Sequence, residues 1–288
     1  MKTSLQKLPK RKRDELRIIN DMIREIDGVE QIILFGSYAR GDWVEELGQN
    51  GYYKYQSDFD LLIIVDDKKL ARKREKWDKM EGDIRRSVSI KTPVSIISHN
   101  IQYVNQKLSE GHYFFSDIKK EGILLYDSKN FELAKAREKA TEERQRKAAK
   151  AFEFWYKSAN LFFDVFRSYF DKDEYKFAAF QLHQATERLY TAILLVFTDY
   201  RPKTHDIELL GKLAAAIETK LVTVFPKGTD EEKRRFELLK NAYVEARYDE
   251  NYSISREELE WLGKRVSKLQ KLTASICKKK LKSVTKVN

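Results

Sequence analysis

The stretch from Gln31 to Val65 constrains this chain more than any other. It opens with an apolar run, Ile32-Ile33-Leu34-Phe35, which stops at Gly36-Ser37-Tyr38-Ala39-Arg40-Gly41-Asp42. After a polar loop, Ser57-Asp58-Phe59-Asp60 leads into a second run, Leu61-Leu62-Ile63-Ile64-Val65. Both runs are short and bounded by turn residues, so both are expected to be buried strands. Side chains alternate across a strand, which puts Asp58 and Asp60 on one face. Neighbouring carboxylates in such a strand repel each other, and a divalent cation between them relieves the repulsion. Hard oxygen ligands suit Mg²⁺ or Mn²⁺. The Gly36-Ser37 turn offers the complementary half of a site. Glycine lets the backbone approach a ligand, and a turn feeding a helix presents N–H groups to phosphate. Ser37 adds a hydroxyl and Arg40 a permanent positive charge. The plainer alternative is an ordinary turn at Gly36 with strand-edge charges at Asp58 and Asp60, although aspartate is depleted in strands.

The pattern G-S-Y-A-R-G followed by S-D-F-D-L-L-I-I-V resembles the minimal nucleotidyltransferases of the DNA polymerase beta-like superfamily. The resemblance implies that Gly36, Ser37, Arg40 and Ser57 bind a nucleoside triphosphate, and that Asp58 and Asp60 hold Mg²⁺ (or Mn²⁺) and are the catalytic pair. Two departures stand out. The link from Asp42 to Gln56, with Gly48, Gly51, Tyr52, Tyr53 and Tyr55, is longer than in typical members, and is either a lid or substrate contact or a surface elaboration. Relatives also carry a third carboxylate on the strand matching 93–98, where the site-facing position here is Ser95. A serine matches a carboxylate in neither charge nor basicity. Glu81, Asp83, Glu110 and Asp117 are the substitutes left open.

With 288 residues the chain has room for two domains. The expected architecture is an α/β (α+β) domain with a short mixed sheet over 1–127, then an all-α up-and-down bundle over 128–288. The single cysteine, Cys277, excludes an internal disulfide and makes the cytoplasm the default compartment. The longest strongly apolar window, 189–197, is shorter than the roughly 20 residues a membrane helix needs. Net charge is +11, which suits phosphate-rich partners, nucleotide or RNA. Most of the lysines nevertheless alternate with glutamates along expected helices, the pattern of a solvated surface.

Before the first strand, Leu16, Ile19, Met22, Ile23 and Ile26 recur at helical spacing. A charged helix is expected over 66–86, a strand over 93–98, helices over 101–108 and 113–121, and a last short strand over 123–126. Beyond Asp127 the pattern is helical. Long segments at 131–169, 175–197, 206–221, 230–248 and 256–276 alternate with short breaks, as in an antiparallel bundle. Lys278 to Lys282 is expected to be a frayed basic tail.

In this half the sequence 178–190 (A-A-F-Q-L-H-Q-A-T-E-R-L-Y), Thr204-His205-Asp206-Ile207 and Ala246-Arg247-Tyr248-Asp249 resemble the HEPN family, helical bundles often fused to minimal nucleotidyltransferases. Many members are ribonucleases that use an Arg followed five residues later by a His. Here Arg247 is followed at that distance by Tyr252, whose phenol, with a pKa near 10, does not replace an imidazole at pH 7. His183 and Glu187 lie one turn apart on a helix and form a second polar site with His205, Arg247 and Tyr252, unless His183 is simply a satisfied core or dimer-face histidine. Apolar residues on more than one face of the 175–197 helix, and the similarly aromatic-rich 152–169 helix, argue for a homodimer through the helical half, in keeping with the resemblance, unless the first half covers the leftover apolar face within one chain.

Three readings follow. The chain transfers a nucleoside monophosphate from a triphosphate to an acceptor; or it is a nucleotide-binding regulator with weakened catalysis; or its helical half cleaves RNA under control of the first half.

Overall fold

The computed structural model describes residues 1–47, 53–138 and 140–284, and the chain divides into two compact units, Met1–Glu138 and Lys139–Asn288. The first unit is built on the two expected strands. Helix α1 (Lys10–Arg24) leads into β1 (Val29–Phe35), and α2 (Gly36–Arg40) follows at once. A hairpin, β2 (Glu45–Leu47) and β3 (Tyr53–Gln56), occupies the long link, while Gly48, Gly51 and Tyr52 lie outside the described residues. Next come β4 (Phe59–Val65), α3 (Lys68–Arg72), α4 (Arg74–Arg86), β5 (Val94–Asn100), α5 (Ile101–Ser109), α6 (Tyr113–Glu121) and β6 (Ile123–Asp127). The single helix expected over 66–86 is thus two, parted at Lys73.

The sheet order is β5-β4-β1-β6, with β4 parallel to β5 and antiparallel to β1. The strands are buried on both faces, which is why they read as unbroken apolar runs. On one face Ile32, Leu34, Phe59, Leu61, Ile63 and Ile96 pack with Leu16, Ile19 and Ile23 of α1 and Trp77 and Ile84 of α4. On the other, Phe35 meets Phe114 of α6 edge-on at 5.5 Å.

In the second unit α7 (Thr141–Phe170), α8 (Tyr175–Thr198) and α12 (Arg256–Val284) pack together. α9 (Ile207–Ala215), a 3₁₀ turn (Thr219–Thr223), α10 (Asp230–Asn241) and α11 (Glu245–Tyr248) complete the bundle. The expected mixed-sheet unit followed by a helical bundle is what the structure shows.

The two ends of the helical half differ from expectation. Helix α7 begins at Thr141, not Phe131. Residues 131–137 run along the first unit instead: Asn105 Nδ2 donates to the Glu132 carbonyl, Asn105 Oδ1 accepts from Ala134 N–H, and Lys119 Nζ donates to the carbonyls of Leu133 and Ala134. Side chains thus take the backbone groups that a helix would have paired. At the other end Lys278–Lys282 belong to α12 and are not frayed. Lysine is a good helix former, and buried Thr273 and Cys277 anchor the last turns.

Most of the apolar spread of α8 is accounted for inside the bundle, with Phe177 left exposed. Leu182, Leu189, Ile193, Leu194 and Val196 are all buried, with α7, α9 and α12 packed against α8. Among the large apolar side chains left exposed, Phe154 (65%), Leu161 (57%) and Val165 (41%) lie together on α7. Seven and four residues apart, they form one stripe.

Candidate functional site

Strand register brings the two halves of the motif together. Phe35, the last residue of β1, lies opposite Asp60. The next residue, Gly36, turns with φ at +71°, and a Cβ built on it would overlap Asp60 Oδ2 and lie 3.0 Å from Asp60 Cγ. The glycine is therefore required twice, by the backbone angle and by the carboxylate against its Cα. Asp60 is 5% exposed and Asp58 half-buried. Phe59 between them points to the opposite face, into the core. Ser37 is buried, and its carbonyl accepts Gly41 N–H at 2.8 Å and Asp42 N–H at 3.1 Å, closing α2 after one turn.

The other two expected phosphate-side residues have structural ties. Arg40 Nε lies 3.1 Å from Asp42 Oδ2. Ser57 closes the hairpin: its N–H donates to the Val44 carbonyl at 2.9 Å and its Oγ accepts Val44 N–H at 3.0 Å.

Ser95 is the registered neighbour of Asp60 on β5, 2% exposed, and its hydroxyl has no hydrogen-bond partner among the described residues. The four substitute carboxylates are placed as follows. Glu81 accepts Ile96 N–H at 2.7 Å on the β5 edge. Asp83 pairs with Arg86. Glu110 pairs with Lys107 and is held below the usual carboxylate range mainly by that hydrogen bond. Asp117 is exposed on α6.

No cluster of three or more His, Cys, Asp or Glu suited to a metal occurs among the described residues. The pair Asp58 and Asp60 still fits Mg²⁺ chemically, because that ion commonly takes one or two protein carboxylates and completes its shell with water and substrate phosphates.

A network missed in the sequence lies on the reverse face of the same strand. Lys12 (1% exposed) donates to Glu45 and, at 2.5 Å, to Thr92 Oγ1; Thr92 in turn donates to Glu15 from both its N–H and its hydroxyl. Burial would raise the Glu45 pKa, but hydrogen bonds from Lys12 and Gln56 bring it below its ordinary value. The Tyr38 phenol is pushed upward by burial and by the carboxylates of Glu45 and Glu15. A signal was present: Lys12 and Glu15 occupy positions on the apolar stripe of α1.

In the bundle the structure gathers His183, Glu187, His205 and Arg247 around Tyr243. Glu187, 1% exposed, contacts His205 Nδ1 at 3.0 Å, Arg201 Nη2 at 3.2 Å and Gln184 Nε2 at 3.3 Å. His205 stacks on Tyr243 with centroids 4.1 Å apart, and the Arg247 guanidinium lies 4.4 Å from the same ring. His183 is fully buried, and burial pushes it down to about 3, with the His205 main chain acting the other way. The residue after His205, Asp206, caps α9, its carboxylate accepting Glu208 and Leu209 N–H. Tyr252 is engaged elsewhere: its hydroxyl donates to the Leu238 carbonyl at 2.9 Å, and burial raises its pKa. Gln184, Arg201 and Tyr243 were not foreseen. Arg201 and Tyr243 reach the cluster only through tertiary packing.

Comparison with known proteins agrees with this division. Residues 18–131 match the family model described as Polymerase beta, Nucleotidyltransferase, and residues 152–276 match that of the HEPN domain. A nucleotidyltransferase-like protein from Exiguobacterium sibiricum 255-15, of known crystal structure, aligns over 90% of this chain and 74% of its own, at 13% identity and a TM-score of 0.28. No protein with a curated description matches. No helix among the described residues is long and apolar enough to cross a membrane. The chain is thus similar to the polymerase beta-type nucleotidyltransferases over 18–131 and to the HEPN domain over 152–276.

Proposed function

We propose that the first unit binds a divalent cation and a nucleoside triphosphate and transfers a nucleoside monophosphate to an acceptor. The observation that carries this reading is the seating of Gly36 directly against the Asp60 carboxylate, which unites the Gly-Ser turn and the aspartate pair in one place. In that reading Asp58 and Asp60 hold the cation, and Gly36 and Ser37 face the phosphates. A bound Mg²⁺ supplies charge stabilisation on the phosphoryl oxygens. The acceptor oxygen attacks the α-phosphorus, pyrophosphate leaves, and the acceptor proton passes to a base. Ser95, beside Asp60, is not basic enough for that role at pH 7.

That serine favours a second reading, a nucleotide-binding regulator with slow or absent transfer. Ribonuclease action has the least support, since the Tyr252 hydroxyl is held by Leu238 and Arg247 lies on aromatic rings. We further propose a homodimer through the helical unit, resting chiefly on the exposed stripe of α7, one of the two helices that suggested it.

Incubation with each α-labelled triphosphate and Mg²⁺, with added RNA, an aminoglycoside or the protein alone, separates transfer from binding. Label on any acceptor supports the first reading. Binding by calorimetry without label supports the second. Unchanged nucleotide affinity in the variant carrying both Asp58→Asn and Asp60→Asn removes this site from either.

A further inference from the structure

Behind the strand that carries Asp58 and Asp60 lies a buried ammonium that the proposed chemistry does not use. Lys12 occupies a core position of α1, in line with Leu16, Ile19 and Ile23. Besides Glu45 and Thr92, its Nζ sits 5.3 Å from the Tyr38 ring centroid and 5.7 Å from that of Phe59.

Each of these four partners adjoins part of the site. Tyr38 follows Ser37. Phe59 separates the two aspartates, so any movement of its backbone moves both. Thr92 precedes Pro93, whose carbonyl accepts Phe59 N–H at 2.8 Å, and lies three residues before Ser95. Glu45 opens the hairpin, pairs with Gln56 across it, and accepts Gln56 Nε2 at 2.9 Å, one residue before Ser57.

A buried charge carries a large desolvation cost, and an apolar residue of similar size at a core position would commonly serve stability as well or better. The ion pair is therefore weak as a device for stability alone. As a device for register it is apt, because a single ammonium fixes four segments by direction as well as by contact. Groups that orient metal ligands from behind typically matter 10–100-fold for metal affinity.

We propose that Lys12 is a positioning residue for the Asp58–Asp60 pair, acting through Phe59, Thr92 and the Glu45-anchored base of the hairpin. The inference rests on the reading of that pair as a cation and triphosphate site.

The test follows free Mn²⁺ by electron paramagnetic resonance in the full-length protein, with and without ATP, beside amide exchange at Ser57 and Phe59. Lys12→Met and Glu45→Ala should each weaken Mn²⁺ binding about tenfold and speed exchange at both amides. The double variant should lose little more than either alone, because both cut one tether. Ile84→Ala serves as control: it removes core packing from α4 without touching the tether, and should lower the melting temperature while keeping the Mn²⁺ affinity.

Wild-type affinity and unchanged exchange in a folded Lys12→Met protein would overturn the proposal, as would an equal loss of affinity in Ile84→Ala. Should Lys12→Met not fold, Glu45→Ala, which alters a side chain 24% exposed and so less buried than Lys12, decides on the same two readouts. If the wild type binds no Mn²⁺, the functional reading fails, and exchange at Ser57 and Phe59 alone decides whether Lys12 holds these segments.

Discussion

His183 shows how one atom's surroundings set the behaviour of a unit. Its folded pKa of about 3 lies well below the ordinary 6.5, chiefly because the ring is buried. The unfolded chain therefore takes up a proton on acidification before the folded chain does. The stability that neutral His183 contributes is complete above pH 6.5 and is lost progressively toward pH 3. Between roughly pH 6.5 and 5 the loss should reach about 1.5 kcal/mol. Denaturant unfolding of the wild type and of His183→Gln at both pH values checks this, and equal pH dependence in the two proteins would refute it. Gly36 makes a second prediction at this scale. Gly36→Ala meets both a positive φ and the Asp60 carboxylate, so it should cost about 1–3 kcal/mol of stability and abolish cation-dependent nucleotide binding. Thermal melts and calorimetry on the same sample report the two effects separately. The meeting of the Gly36 turn with Asp60 was legible in the sequence because each half of the motif is local and the two halves flank paired strands. Lys12 was not, because its partners Glu45 and Thr92 lie 33 and 80 residues away and a lysine inside an apolar stripe reads as a surface residue.

Among elements, the strands and most helices were legible from period and punctuation. The failures came where a side chain from afar competed for the backbone. Residues 131–137 have helical periodicity, but Asn105 and Lys119 take their main-chain groups. The expected 206–221 helix ends at Ala215 and gives way to a 3₁₀ turn whose start is capped by Glu218. Element junctions are also where charge works hardest. Glu208 on α9 accepts from Lys227 at 2.6 Å and from Lys240 of α10 at 2.8 Å. Burial would raise its pKa, but the two lysines hold it at about 2. Being depressed, it contributes stability that is complete above pH 4.5 and lost as pH falls through about 2. Partial exposure reduces the effect, so Glu208→Gln should cost about 1–2 kcal/mol at pH 7 and almost nothing near pH 2. Urea titrations at the two pH values measure both ends of that window.

For the whole molecule the open question is assembly. Inside the bundle most of the apolar surface of α8 is covered, Phe177 excepted, so the case for association rests chiefly on Phe154, Leu161 and Val165 on α7. A stripe of this kind on two copies suits a two-fold contact. Light scattering at micromolar concentration should give a mass near twice 34.1 kDa, and Leu161→Asp should return it to the single-chain value without altering the circular dichroism. A wild-type mass of one chain would end the proposal.

The segment from Ser128 to Glu138 has a practical meaning for anyone who separates the two units. Its attachments to Asn105, Lys119 and the Leu108 carbonyl, which accepts Arg137 N–H at 3.0 Å, make it a strap around the first unit. A gene cut at the last strand would discard that strap and bare the polar groups it satisfies, whereas a cut after Glu138 keeps it. Poor yield from the shorter clone would therefore be an artefact of tailoring and no measure of how well this unit folds by itself.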